Sequence, residues 1–295
     1  MPKIIIADKM EKEVVEKLKQ IGEVEFQPSS LQAALKSADV LIVRSATKVT
    51  KELISNANNL KIVARAGVGT DNIDKEACKS KKIKVINTPD ASTNAVAELA
   101  IGMMIGIMRK TGTMHEKMKN NTWAKKEGVG NEIQGKTLGI IGMGRIGHSV
   151  AKKASSLGMN VIYYDHKKKE VEFQYFPSID EMLPNADIIS LHASASEDSP
   201  PLISTKQFSK IKKGAFLINT ARGSLIDEDA LVEALNSGKL GGAAIDVYSR
   251  EPYINGSLTR LDNILLTPHI GASTKEAQLR IGDDLIAQLR KELGV

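Results

Sequence analysis

Short apolar runs dominated by Ile and Val recur along the chain, and the segments between them carry helical spacing. In the first third these runs occupy residues 3–7, 40–44, 61–65 and 84–87, with helical segments such as 11–22 between them. Alternation of this kind is the signature of a parallel α/β layer, whose strands are covered on both faces and so lose the in–out pattern of a half-exposed sheet.

A second series opens near residue 138 with LGIIG and continues through VIYYD, ADIISLH, GAFLINT, GGAAIDV and ILLTP. Six buried runs make a second doubly wound sheet. The expected fold is therefore α/β, with two doubly wound parallel-sheet domains. A chain of 295 residues exceeds one hydrophobic core, and 42% hydrophobic residues suffice to fill two. Between the series, Ala95, Leu99, Met103, Ile107 and Met114 fall near helical spacing, which predicts one long helix from residue 92 to about 120 that bridges the domains. Residues 274–293 repeat the spacing with Leu279, Leu285, Ile286 and Leu289, and periodicity does not decide which domain that helix joins.

Composition narrows the function. The formal charge is +6, but the Lys and Arg residues are interleaved with Glu and Asp and do not cluster among aromatics, which argues against nucleic acid. A modest positive excess suits a small anionic substrate. The lone Cys78 cannot form an internal disulfide and reads as a packed side chain. The opening MPKIIIADK has no secretory pattern, so a cytoplasmic protein is expected. The most apolar stretch, 95–108, is shorter than the roughly 20 residues a span requires and carries Glu98, so no membrane role is expected. No metal is expected either.

One glycine motif is placed where chemistry needs it. In LGIIGMGRIGHSVA, Gly142, Gly144 and Gly147 have G-x-G-x-x-G spacing directly after a strand and at the opening of a helix. The first permits the tight turn, the second lets the backbone approach a pyrophosphate, and the third lets helix and strand pack closely. Alone the motif is weak. Here the next strand ends at Asp165, 18 residues beyond Gly147, where a carboxylate can bond ribose hydroxyls and repel a 2′-phosphate. The reading is a Rossmann dinucleotide site for NAD rather than NADP: His166 with Lys167, Lys168 and Lys169 could blunt that repulsion, but a lysine run after a strand is more often a solvated turn.

Three further segments follow apolar runs of the second series: NTARGSLID with Arg222, DVYSREP with Glu251, and LLTPHIGAST with His269. Strand ends of a parallel sheet share one edge, so these loops converge there with the nucleotide. Hydride removal from a secondary alcohol needs a base for the hydroxyl proton, a cation for carboxylate and oxyanion, and a partner that tunes the base. Imidazole titrates near physiological pH, a carboxylate stabilises its cation, and guanidinium matches a carboxylate bidentately. Singly, each residue has a plainer use: a His after Pro268 can cap the next helix, Glu251 can be a loop charge, and Arg222 can pair with Asp227.

The ordered set GMGRIG, the strand ending in Asp165, NTARGSLIDEDAL, DVYSREP and PHIGAST is similar over nearly the whole chain to the D-isomer-specific 2-hydroxy-acid dehydrogenases. The resemblance implies Arg222, Glu251 and His269 as the catalytic triad, with Arg222 and His269 also on the substrate. It implies Arg145, Ile146, Thr220, Ala221, Asp246 and Gly271 beside NAD, with Gly142, Gly144, Gly147 and Asp165. It implies Val68 and Gly69, in ARAGVGTDNID, as backbone donors to the substrate carboxylate. It further implies a discontinuous flavodoxin-like substrate domain (1–93 and 272–295), a Rossmann NAD-binding domain (94–271) that forms a homodimer, and closure of a cleft that excludes water.

Within the family, VRSATKVT and NTPDASTNAVAELA look like the 3-phosphoglycerate dehydrogenases, with Arg44 and Arg65 on the acidic substrate. Two departures stand out. Where relatives read H-x-P followed by Thr, this chain reads LHASASEDSPPLI, so Ala193 and Ser194 replace Thr- and Pro-like positions and packing is the expected role of His192. The sequence also stops at Val295, so the serine-binding C-terminal domain of longer members, and an allosteric response to serine, are expected to be missing. The rival readings are a glyoxylate or hydroxypyruvate reductase and, from another class, an NAD-sensing transcriptional corepressor.

Overall fold

The computed structural model describes residues 1–195 and 199–295, so part of the SASEDSPP segment lies outside the described residues. The chain forms two compact units, Met1–Thr93 with Ala272–Val295, and Asn94–Gly271.

The first unit runs β1 (Lys3–Ile6), α1 (Lys12–Lys19), β2 (Glu23–Phe26), α2 (Leu31–Ala34), β3 (Val40–Val43), α3 (Lys51–Ile54), β4 (Ile62–Arg65), α4 (Lys75–Ser80) and β5 (Lys84–Asn87). Its parallel sheet has the order β2-β1-β3-β4-β5. Successive residues face opposite sides, so Ile4, Ile6, Val40, Ile42, Ile62 and Ala64 build one core while Ile5, Leu41, Val43 and Val63 build another with Cys78. Burial pushes the Cys78 thiol up, in keeping with a packed side chain. The sequence reading passes over β2 because EVEF is half-exposed and offers no apolar run.

The C-terminal helix Lys275–Leu293 completes this unit. Thr274 caps it by accepting the Ala277 N–H at 3.1 Å, and Gly294 ends it in the left-handed region. Ile281, Leu285, Ile286 and Leu289 enter the core shared with β1 and α1. A Cβ on Gly282 would lie 2.3 Å from Val14 Cγ2, so glycine is what allows the two helices to approach.

The second unit contains α5 (Thr93–Met108), α6 (Thr111–Lys119), β6 (Thr137–Ile141), α7 (Arg145–Ser156), β7 (Asn160–Tyr164), β8 (Gln174–Phe176), α8 (Ile179–Met182), β9 (Ile188–Leu191), α9 (Thr205–Lys210), β10 (Ala215–Asn219), α10 (Glu228–Asn236), β11 (Leu240–Ile245) and β12 (Ile264–Leu266). Its parallel strands lie in the order β12-β11-β10-β9-β6-β7-β8. The direction of winding reverses between β9 and β6, where an open α/β sheet offers its ligand crevice.

The structure differs from the sequence reading at two places here. The single helix expected over 92–120 is two helices, broken where Lys110 adopts φ 54°, and from Asn94 onward they belong to the second unit. The sheet has seven strands instead of six, because the edge strand QYF is only three residues long and partly exposed, too short to read as a buried run. Among the described residues no helix is long and apolar enough to cross a membrane, and no His, Cys, Asp and Glu side chains group as a metal site.

Candidate active site

The turn after β6 is built by its glycines. Gly142 has φ +96°, and a Cβ there would meet the Ala193 nitrogen at 2.7 Å. A Cβ on Gly147 would meet the Gly142 oxygen at 2.1 Å, so α7 and β6 touch backbone to backbone. Nothing lies within 4 Å of a Cβ on Gly144, and this N-cap offers no side chain to the first turn of the 12-residue helix that begins with Arg145 and Ile146. Open space above unshielded helix N–H groups suits an anion.

Asp165, just past β7, faces that turn. One carboxylate oxygen accepts the Met143 N–H at 2.9 Å, and the other accepts the Lys167 N–H at 3.4 Å and lies 3.6 Å from Lys169 Nζ. Strand register extends the site along one row. Ile140, Ser190, Ile218, Ala244 and Leu265 are neighbours across β6, β9, β10, β11 and β12, so Gly142, His192, Thr220, Asp246 and Thr267, two residues further on, share a face at the carboxyl edge.

Two buried polar atoms in that row, Thr220 Oγ1 and His192 Nδ1, have no hydrogen-bond partner among the described residues. The open glycine turn, the acid after β7 and these unmet groups fit a dinucleotide laid along the edge. The His192 Nε2 is 2.8 Å from Ser190 Oγ, and burial lowers its pKa to about 4, so the imidazole is neutral.

The neighbouring loops bring the three chemically suited side chains onto the same edge. Asn219 brackets the first: its side chain accepts the Ala221 N–H at 3.0 Å and donates to the Arg222 carbonyl at 2.8 Å, while Arg222 Nη1 donates to the Ala221 carbonyl at 2.6 Å. His269 Nδ1 lies 2.7 Å from Glu251 Oε2. Burial raises the Glu251 carboxyl, but the His269 bond and charge, the Tyr248 N–H and the charge of Arg222 outweigh it and hold the group below its ordinary range.

His269 sits at φ +54° in a turn anchored by Asp246. That buried carboxylate accepts the Thr267 hydroxyl at 2.6 Å, the Ile270 N–H at 2.8 Å and the Gly271 N–H at 2.9 Å. The next helix is capped by Thr274, so His269 has no capping role. Asp227 caps α10 through the Ala230 N–H.

In the first unit, Arg44 follows β3 and Arg65 ends β4. Asp8 accepts the Arg44 N–H at 2.5 Å and the Thr47 hydroxyl at 2.6 Å, and Arg44 Nη1 donates to the Lys9 carbonyl at 3.2 Å. Burial lowers the Arg44 pKa against the opposing charges of Asp8 and Glu11, and the half-buried guanidinium stays a cation. Arg65 Nη1 donates to the Ala66 carbonyl, and Gly67, at φ +145°, lies against its guanidinium. Asn87 Nδ2 holds the Val68 carbonyl at 2.6 Å in the loop that continues through Gly69.

Asn219, Asp8 and Tyr248 are the polar groups that sequence reasoning passes over. The first and third stand inside quoted segments, NTARG and DVYSREP, but they act on backbone atoms, which residue types do not mark.

Residues 101–271 match the D-isomer specific 2-hydroxyacid dehydrogenase NAD-binding domain. The chain is 43% identical to a hydroxypyruvate reductase of Thermotoga maritima, over 99% of both proteins. It is equally identical to a D-3-phosphoglycerate dehydrogenase of Methanocaldococcus jannaschii, over 99% of this chain but 58% of that protein's length. Among solved structures, an NADPH-dependent glyoxylate/hydroxypyruvate reductase of Sinorhizobium meliloti in complex with NADP and malonate superposes with a TM-score of 0.89 at 26% identity, covering 98% of this chain and 92% of that one. The chain belongs to the D-isomer-specific 2-hydroxyacid dehydrogenase family. It is an oxidoreductase with the family's NAD-binding domain and a small-molecule substrate.

Proposed function

We propose that the chain oxidises D-3-phosphoglycerate to 3-phosphohydroxypyruvate with NAD, the first step of phosphorylated L-serine synthesis. The observation that carries the chemistry is the 2.7 Å contact between His269 and Glu251 at the carboxyl edge of the nucleotide-binding sheet. His269 Nε2 takes the C2 hydroxyl proton, the Glu251 carboxylate stabilises the resulting imidazolium, and the Arg222 fork holds the substrate carboxylate. NAD, held by the Gly142–Gly147 turn and Asp165, would supply the hydride acceptor.

Val68 and Gly69 donate backbone N–H groups to that carboxylate, while Arg44, with Arg65 beside it in charge, recognises the phosphate. Asp165, placed to meet the ribose hydroxyls, favours NAD over NADP. A cytoplasmic homodimer completes the reading, and sedimentation velocity measures the assembly.

A second reading, hydroxypyruvate reductase, is favoured by the Thermotoga maritima relative, which matches end to end. Nicotinamide absorbance with 3-phosphoglycerate, D-glycerate, D-lactate, hydroxypyruvate and glyoxylate separates the two. Arg44→Ala should raise KM for 3-phosphoglycerate at least about tenfold more than KM for D-glycerate, since a charge-assisted bond to phosphate contributes about 1.5–3 kcal/mol. An equal rise for both substrates removes Arg44 from phosphate recognition.

A further inference from the structure

Tyr248 stands three residues before Glu251, and its contacts reach all three loops of the candidate active site. Its backbone N–H donates to Glu251 Oε1 at 3.2 Å, while Oε2 faces His269. Its phenol donates to the Thr267 carbonyl at 2.8 Å, with the Ile245 carbonyl at 3.3 Å. The same Thr267 oxygen accepts the His269 N–H at 3.1 Å, so the phenol grips the turn that holds His269 at positive φ. On the third side, a Cβ on Gly223 would lie 1.9 Å from the Tyr248 carbonyl carbon, which packs the residue after Arg222 directly onto this backbone.

The ring itself is held from outside the site. It stacks on Tyr253 with centroids 4.5 Å apart and an interplanar angle of 17°. The Tyr253 hydroxyl donates to Glu228, the first residue of α10, and Ser249 and Ser257 donate to the same carboxylate. Burial, then the negative charges of Asp246 and Glu251, push the Tyr248 phenol up to about 12, so it remains a protonated donor at any working pH.

We infer that Tyr248 is a positioning residue, setting the register of the Arg222, Glu251 and His269 loops and thereby the Glu251–His269 hydrogen bond. The inference rests on the proton-transfer reading of that pair. A side chain that only filled space would be replaced by Phe without consequence, because the stack on Tyr253 survives. Loss of the hydroxyl instead removes one of the two donors to the Thr267 carbonyl and loosens the turn, and a displacement of His269 by a fraction of an ångström acts directly on proton transfer.

The test compares Tyr248→Phe, Tyr253→Phe, Glu251→Gln and the Tyr248→Phe/Glu251→Gln double variant. Two readouts are taken: the pH profile of kcat/KM, and NMR titration of the His269 imidazole in the enzyme without substrate or cofactor. The charged groups that bear on His269 are Glu251 and Asp246, with Arg222 acting on Glu251. Tyr248→Phe changes no charge, so any shift it causes comes from geometry. We expect Tyr248→Phe to lower kcat about tenfold, to leave NAD affinity and fold intact, and to move the His269 titration in the direction set by Glu251→Gln. The double variant should lose less than the product of the single losses, and Tyr253→Phe should alter thermal stability alone.

An unmoved His269 titration and pH profile in Tyr248→Phe, while Glu251→Gln shifts both, would overturn the inference and leave the proton-transfer reading standing. If Glu251→Gln itself shifts neither, that reading falls and this inference falls with it.

Discussion

A side chain held at positive φ away from glycine is tolerated only where its surroundings over-determine it. His269 meets that condition through the three donors that Asp246 accepts around it and through the Thr267 carbonyl. Replacing His269 by Ala should reduce turnover by about 10²–10⁴-fold, the worth of a positioned acid–base group, and replacing Arg222, the fork for the substrate carboxylate, should remove most turnover as well, with NAD affinity nearly unchanged by fluorescence titration in both. Turnover close to wild type in either variant removes that residue from the chemistry. Asp165→Ala should weaken NAD more than NADP, because it deletes a ribose acceptor and a charge that repels the 2′-phosphate. Equal losses would mean that the Lys169 contact already cancels the carboxylate. At this scale Arg222, Glu251 and His269 are legible in the sequence because each is a polar residue set directly after an apolar run. Tyr248 is not, since its partners are carbonyl and carboxylate atoms whose positions only the fold defines.

Among the elements, strands buried on both faces announce themselves and edge strands do not. The runs around β1, β3, β4, β6 and β9 are continuous apolar segments, whereas EVEF and QYF alternate or lie half-exposed at sheet margins, so side-chain pattern alone passes over them. The break between α5 and α6 was equally hidden, because it depends on the left-handed backbone of Lys110, a residue type with no preference for that conformation. The C-terminal helix shows what a legible boundary is worth. Its Thr274 cap satisfies the Ala277 N–H, and Thr274→Ala should cost about 1 kcal/mol. Chemical denaturation measures this as a lowered midpoint with an unchanged slope, and an unchanged midpoint would show that water replaces the cap at no cost.

For the whole molecule, each unit carries a carboxylate that ties one strand to its neighbourhood. Asp39 accepts the Lys3 N–H at 2.9 Å and pairs with Lys61, and Asp187 accepts the Thr137 N–H at 2.8 Å and pairs with Lys212. Burial raises both carboxyls, but the backbone bond and the Lys partner outweigh it and hold them below 3.8. A depressed carboxyl stabilises the fold fully above its unfolded pKa and ceases to do so as pH falls through the folded value. The thermal midpoint should therefore be level from neutrality to about pH 5 and decline steadily below about pH 4. Asp39→Asn and Asp187→Asn should each flatten that decline in differential scanning calorimetry, and an unaltered slope in both would locate the acid sensitivity elsewhere.

The chain leaves its first unit at Thr93 and returns to it only at Ala272. During synthesis, then, the sheet made first has one face bare of Ile281, Leu285, Ile286 and Leu289 until those residues emerge from the ribosome, by which point the sheet made second already has every strand it needs. The usual order, in which the N-terminal part of a protein folds first, is reversed: the nucleotide-binding half can mature while the half begun earlier still waits for its closing helix.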